Sequence, residues 1–327
     1  MDSETVPPRT VPSGTAAALP SGRLGRASHA VLAFDVGGTD LKAGLVDSDG
    51  SLKGRRRTAT PHDPSRPAES ILDRVAELAA ELAHEYPGSP PRAAGVVVPG
   101  IVDAVAGVGV FSVNLGWHDF PFVAEAEARL GMPVSFGHDV GAAGDAEVLL
   151  GAARDYRDVV VMVLGTGIAG AVFSEGQAVT AGGHAGELGY ALVPSPDGTG
   201  TTILEAVGSA GAIARRYTEH SGHAVGGARE VLALSRSGDA SAAKVWSEAV
   251  DALAFSICQC VSILGTEAVV VGGGLAEAGE AVLGPLRRRV DQLLDFQRRP
   301  VILPAQLGQD AGLLGAAIRA RALLGSP

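Results

Sequence analysis

The sequence predicts an α/β fold in two halves with a cleft between them, and three observations carry the prediction. Short apolar runs that read as buried strands alternate with longer stretches of helical period. A strand, a glycine turn and a second strand stand at 31–46 and recur at 159–173, about 130 residues later, as a duplication of architecture. The chain has 327 residues, enough for about two domains with sizeable cores.

Taken in order, residues 1–29 are rich in Pro, Ser, Gly and Ala, show no period and lack a signal peptide's apolar stretch, so a disordered arm is expected. A strand follows at 31–34. Leu41, Ala43 and Leu45 alternate with Lys42, Gly44 and Val46 to make a second strand, and Gly37 and Gly38 form the turn between them. A third strand is expected at 52–58. Ile71, Leu72, Val75, Leu78, Ala79 and Leu82 recur at helical spacing, so 67–85 is an amphipathic helix. The strand 94–98 ends at Pro99-Gly100, and a helix at 122–130 leads to the strand 134–137. Residues 139–150 are helical and rich in small side chains.

The second half opens with the strand 159–164, the turn Gly165-Thr166-Gly167 and the strand 169–173. Helices are expected at 206–220, 228–235 and 240–264. The strand 268–271 runs into Gly272-Gly273-Gly274, and a helix at 277–294, a strand at 301–303 and a helix at 311–324 complete the chain.

Composition excludes several classes. Hydrophobic residues make up 46% of the chain, which is globular rather than disordered. The net charge of −10 argues against a nucleic-acid partner. Cys258 and Cys260 lie two apart in a helical segment, point to different faces and have no third cysteine to pair with. They read as small buried hydrophobes in a reducing cytoplasm. No run is expected to reach the roughly 18 apolar residues of a membrane span.

The first turn has the makings of a phosphate site. Two adjacent glycines let a ligand approach bare amides, Thr39 adds a hydroxyl, and Asp35 ends the preceding strand with a carboxylate that can hold magnesium directly or through water. It is not a Walker loop, because neither a helix nor Gly-Lys-Ser/Thr follows. On these residues alone an ordinary Gly-Gly hairpin remains open.

Eight motifs widen the reading: DVGGTDLKAGLVD at 35–47, VPGIVDAVAG at 98–107, NLGW at 114–117, GHDVGAAGDAE at 137–147, LGTGIAGAV at 164–172, AGELGY at 185–190, VGGGLAEAG at 271–279 and LGQDAGLLGAA at 307–317. In number, order and spacing they resemble the ROK family of bacterial repressors and sugar kinases, in the sugar-kinase branch of the actin-like ATPases, over residues 31–325. The resemblance implies an actin-like (ribonuclease H-like) α/β fold, with a small domain of 30–134 plus 310–327 and a large domain of 135–309. It implies ATP-dependent phosphorylation of a hexose at the C6 hydroxyl, by a cytoplasmic homodimer.

Residue by residue, the resemblance places Gly37, Gly38, Thr39, Lys42, Gly165, Thr166 and Gly167 around the ATP phosphates. Gly273 and Gly274 approach the adenosine, and Asp35 holds the magnesium of the nucleotide. Gly100, Asn114, His138, Asp139, Glu187, Tyr190 and Glu205 form the sugar site, with Asp139 as catalytic base. The chemistry suits these types, because carboxylates and amides give a ring of hydroxyls fixed donors and acceptors, and an Asp beside the acceptor hydroxyl takes its proton. Plainer roles remain: an N-cap for Asp139, a turn residue for Asn114 and an exposed helix start for Glu205.

The chain departs from the family in three places. Family members carry Gly-His followed by a CxCGxxGC cluster for structural zinc, whereas Gly189 here precedes Tyr190 and 194–204 holds no cysteine. No zinc is expected, since the ion needs about four N or S ligands. His138 stands where Asn is usual, and Ala169 where Gly is usual. The changes at Tyr190 and His138 point to glucose or a related amino sugar such as kanosamine. Two alternatives differ in class: a polyphosphate-using glucokinase, and a non-catalytic sugar-binding regulator. A repressor needs a helix-turn-helix of roughly 70–80 residues ahead of the kinase-like part, and only 30 Pro/Gly-rich residues precede the first strand.

Overall fold

The structure is a computed structural model that describes Leu24 and residues 27–325. Most of the expected N-terminal arm lies outside the described residues. Leu24 and Ala27 are themselves tied down, donating their backbone N–H groups to Gly50 and Ser48 carbonyls at 3.0 and 2.8 Å.

The first half contains β1 (Ala30–Val36), β2 (Asp40–Val46), β3 (Leu52–Ala59), α1 (Pro67–Glu85), β4 (Pro91–Val98), β5 (Ile101–Asp103), β6 (Val108–Phe111), β7 (His118–Phe120), α2 (Phe122–Leu130), β8 (Val134–His138) and α3 (Asp139–Leu149). The second contains β9 (Val159–Leu164), β10 (Ile168–Ser174), β11 (Gln177–Val179), β12 (Leu192–Pro194), β13 (Thr201–Ile203), α4 (Glu205–Gly208), α5 (Ala210–Ser221), α6 (Ala228–Arg236), α7 (Ala240–Leu264), β14 (Ala268–Gly272), α8 (Glu280–Leu293), β15 (Val301–Pro304) and α9 (Ala311–Ala322).

Two five-stranded sheets carry the duplication. Their orders are β3-β2-β1-β4-β8 and β11-β10-β9-β14-β15. In each, three antiparallel strands precede two parallel ones. The period of two along each central strand sorts its side chains. Leu32, Phe34 and Val36 of β1 face α1 and α2, while Val31 and Ala33 face α9. Asp35 shares the α9 face. In β9, Val160, Met162 and Leu164 join the core built by α4 to α8, and Val159 and Val161 face α3. Helices α3 and α9 therefore lie between the two sheets. Their contact is close enough that a Cβ at Gly315 would fall 1.9 Å from the Ala142 carbonyl.

Several elements differ from the sequence expectations. The small sheet β5-β6-β7, strand β11 and the β12–β13 hairpin replace expected loops. The single helix expected at 206–220 is broken at Ser209, whose hydroxyl caps α5 by accepting from Ala212 N at 3.0 Å. A 3-10 turn at Gly274–Ala278 precedes α8, which starts at Glu280. One expectation is corrected: α7 is long and apolar enough to span a membrane by length and composition. Its apolar face is spent inside the fold, where Val245, Trp246, Leu253 and Ile257 are buried. Cys260 is also buried there, Cys258 is half-buried, and burial pushes both thiols above their usual range.

Candidate active site

A cavity of about 440 Å³ opens where the two sheets face each other across α3 and α9. Asp35, Gly37, Lys42, Asp139, Gly273 and Gly274 line it together, with Val161, Val163 and Ala305 as its apolar wall. Six of the residues singled out in the sequence thus meet in one place from three separate segments: the β1–β2 hairpin, the start of α3 and the turn after β14.

Asp35 is 7% exposed. It fits at the cavity wall because the second residue of α9 beneath it is a glycine; a Cβ at Gly312 would lie 2.7 Å from its carboxylate. Lys42, opposite Asp35 in the β1–β2 register, donates to Asp35 Oδ2 at 3.0 Å. Its Nζ also donates to the Gln309 carbonyl at 3.0 Å. Burial pushes the Asp35 carboxyl above its ordinary value, the Lys42 charge opposes that, and the nearby Asp139 adds a smaller upward push.

The β1–β2 turn is fastened from the segment after β3. Thr60 donates its hydroxyl to the Gly37 carbonyl at 2.7 Å and its N–H to the Thr39 carbonyl at 2.8 Å. A Cβ at Gly38 would meet nothing within 4 Å, so space for a ligand exists above the amides. On the far wall, Gly273 has φ +83°, and a Cβ there would fall 2.5 Å from the Leu164 carbonyl, which fixes glycine at this crossing.

Asp139 is the first residue of α3. The N-cap is His138, whose Nδ1 accepts from Gly141 N at 3.4 Å. Nδ1 as acceptor puts the proton on Nε2, which lies 3.3 Å from Asp139 Oδ1. Oδ1 also accepts from Val140 N at 2.7 Å. No donor among the described residues reaches Oδ2.

The second turn is built differently. Glu205 Oε2 accepts from Ile168 N at 2.8 Å, and a Cβ at Gly167 would fall 2.4 Å from the same oxygen. The Gly165 carbonyl accepts from Ala210 N at 2.9 Å, and a Cβ at Gly211 would fall 2.8 Å from the Thr166 carbonyl. Gly165, Thr166, Gly167 and Glu205 form one packed unit outside the cavity lining.

The remaining candidates also stand outside that lining. Gly100 has φ +110° and sits against the Phe111 carbonyl, in the turn after β4. Asn114 is exposed between β6 and β7. Residues 180–190 bridge the halves: a Cβ at Gly183 would strike the Val102 carbonyl of β5, and Gly170 N donates to the Gly186 carbonyl at 2.8 Å. On this bridge Glu187 is half-buried with no side-chain partner among the described residues, and Tyr190 is 67% exposed. The β12–β13 hairpin beside it closes on Asp197, which accepts from Thr199 N and Oγ1 at 2.8 and 2.6 Å. Those bonds hold its carboxyl down at about 2.

Among the described residues no group of three or more His, Cys, Asp or Glu could hold a metal. Magnesium that arrives with a nucleotide needs only one or two carboxylates besides phosphate oxygens, and buried Asp35 at the cavity wall fits that demand. Sequence reasoning missed Glu147, Gln309 and Gly312, all of which line the cavity. Their signal lay in the motifs GHDVGAAGDAE and LGQDAGLLGAA.

The model of the ROK family matches residues 31–322. The glucokinase of Thermotoga maritima is 33% identical over 309 residues, covering 88% of this chain and 96% of that protein. Among solved structures, the ROK hexokinase of Thermus thermophilus superposes with a TM-score of 0.79 at 30% identity, over 90% of this chain and 99% of that one. The ROK glucokinase of Streptomyces griseus, solved with glucose and AMPPNP, gives 0.73 at 28% identity over 90% and 99%.

The fold is therefore that of the actin-like ATPases, and the molecule is a kinase of two α/β halves. The chain belongs to the ROK family, as a sugar kinase of the glucokinase-like kind.

Proposed function

We propose that this protein transfers the γ-phosphoryl group of ATP to the C6 hydroxyl of glucose or a glucose-like amino sugar, with Asp139 as the general base. The observation that carries the reading is the Asp139 carboxylate. One oxygen is held by Val140 N and faces His138, and the other has no donor among the described residues, in the same cavity as Asp35 and the β1–β2 turn. A hydroxyl donating to Oδ2 passes its proton to Asp139 as its oxygen bonds to the γ-phosphorus, while the bond from that phosphorus to the bridging β-oxygen breaks and ADP leaves.

In this reading the amides of Gly37 and Gly38, the Thr39 hydroxyl and the turn Gly165-Thr166-Gly167 flank the phosphates. Gly273 and Gly274 leave room for the adenosine. Asp35 would hold the nucleotide's magnesium, directly or through water, and the ion would supply charge neutralisation at the phosphates. Gly100, Asn114, His138, Glu187, Tyr190 and Glu205 surround the sugar. Glu187, half-buried and without a side-chain partner among the described residues, is a ready counter-charge for an ammonium group, which supports an amino sugar beside glucose. The proposed division is 30–134 with 310–327 against 135–309; the first five-stranded sheet ends in β8 (Val134–His138), so its edge strand runs across that boundary.

The test is an assay of glucose, glucosamine and kanosamine with ATP and with polyphosphate, with the product's ester position read by phosphorus NMR. Transfer from ATP to O6 of at least one of these sugars is expected. Transfer to no sugar, or to a different hydroxyl, overturns the reading.

A further inference from the structure

Glu147 is a carboxylate that the reaction as described does not use, yet it is 1% exposed and lines the cavity two helical turns beyond Asp139. A charged group so buried must be bonded to persist. Both oxygens are: Oε2 accepts from Ala152 N at 2.9 Å and Oε1 from Leu307 N at 2.8 Å. The chain gives way to it at Gly151, where a Cβ would lie 2.1 Å from Oε2.

The Leu307 bond is the unusual one. Residues 305–310 cross from β15 of the second sheet to α9, which packs on the first. Ala305 is tied to the second sheet through the Val271 carbonyl at 2.9 Å. Two residues after Leu307, the Gln309 carbonyl receives Lys42, and Lys42 pairs with Asp35. Between them Gly308 turns with φ +54°. A continuous line of contacts thus runs from α3, through the crossover, to the charged pair at the phosphate turn.

We propose that Glu147 is a positioning residue, which pins the crossover at Leu307 so that the Gln309 carbonyl holds Lys42 against Asp35. The proposal rests on the nucleotide reading above. Lys42 has two anchors, and an ammonium with a single anchor on a flexible stem is far less confined. Moving the Gln309 carbonyl removes one of them and alters the charge presented to the nucleotide. A purely structural Glu147 would lower stability and leave ligand affinities of the folded protein alone.

The experiment is calorimetric titration of the full chain with AMPPNP and magnesium, and separately with glucose. The proteins are wild type, Glu147→Gln, Lys42→Ala and the double variant. Glu147→Gln keeps the shape but turns an amide toward a backbone N–H. It is expected to weaken nucleotide binding about tenfold with glucose affinity within about twofold. The double variant is expected to bind no more than about twofold more weakly than Lys42→Ala, because both changes break one line. Unchanged nucleotide binding in Glu147→Gln, losses that multiply in the double variant, or an equal loss of glucose affinity overturns the proposal. Leu307→Pro repeats the test from the other side. Leu307 has φ −88°, close to the proline value, and the change removes the donor while leaving the carboxylate and its Ala152 bond. It must reproduce the same non-additive loss. A wild type that binds no nucleotide overturns the donor reading and this proposal with it, whereas normal wild-type binding beside an unaffected Glu147→Gln overturns the proposal alone.

Discussion

The two glycine turns occupy matching places in two sheets of the same order, and they differ in everything around them. Two residues before the first turn stands Asp35, paired across the hairpin with Lys42. Two residues before the second stands Val163, paired with Ala169. The first turn leaves open space above Gly38, while the second is filled from behind by Glu205, Ala210 and Gly211. Duplicated topology supplies two equivalent edges to one cleft. The sequence puts the charge on one edge and rigid packing on the other.

The largest effect should come from removing that charge. Asp35→Asn is expected to cut turnover by about 10²-fold or more. In the ligand-free protein it should do the opposite to stability. Burial raises the Asp35 carboxyl above 3.8, so the folded state holds its proton more tightly than the unfolded one. Its contribution to stability is full below 3.8 and is lost as pH rises through the folded value. The variant's Tm should therefore exceed wild type at pH 7, with the gain shrinking as pH falls toward 4. A lower Tm at pH 7 would mean that the Lys42 pair outweighs burial.

Next come the turns themselves. Gly167→Ala forces a methyl against the Glu205 carboxylate and should cost about 1–3 kcal/mol in denaturant unfolding. Gly38→Ala enters open space and should stay within about 0.5 kcal/mol of wild type while raising the KM for nucleotide. Equal stability costs at the two turns would break the comparison. The smallest effect is expected at Tyr190. Tyr190→His should change stability by less than about 0.5 kcal/mol, since the side chain is mostly exposed. It should still shift the ratio of kcat/KM for glucose over an amino sugar. An unchanged ratio would leave Tyr190 as a surface residue.

What the sequence disclosed follows from where side chains report on their own surroundings. The runs at 31–34, 159–164 and 268–271 are buried on both faces, so each strand is legible without its neighbours. The two hairpins are local, and Asp35, Lys42 and Gly37 could be read from them. The small sheet β5-β6-β7 is built from strands of three or four residues, too short for a period to show. Ser209 breaks a helix through a single hydroxyl bond that looks like any other serine. Glu147 is the clearest case. On sequence it is an acidic residue near the end of a helix, a place that normally faces water. Its role depends on Leu307, 160 residues away, and only the crossing of the chain between the sheets brings the two together.

Asp139 is the group proposed to take the proton from the sugar hydroxyl. The most direct measurement is kcat of Asp139→Asn with ATP and glucose, alongside calorimetric affinity for glucose. The change keeps the side chain's shape and removes the base. A fall in kcat of about 10²-fold or more, with glucose affinity within a few-fold of wild type, is the predicted result. Turnover within a few-fold of wild type would contradict it and remove Asp139 from the chemistry.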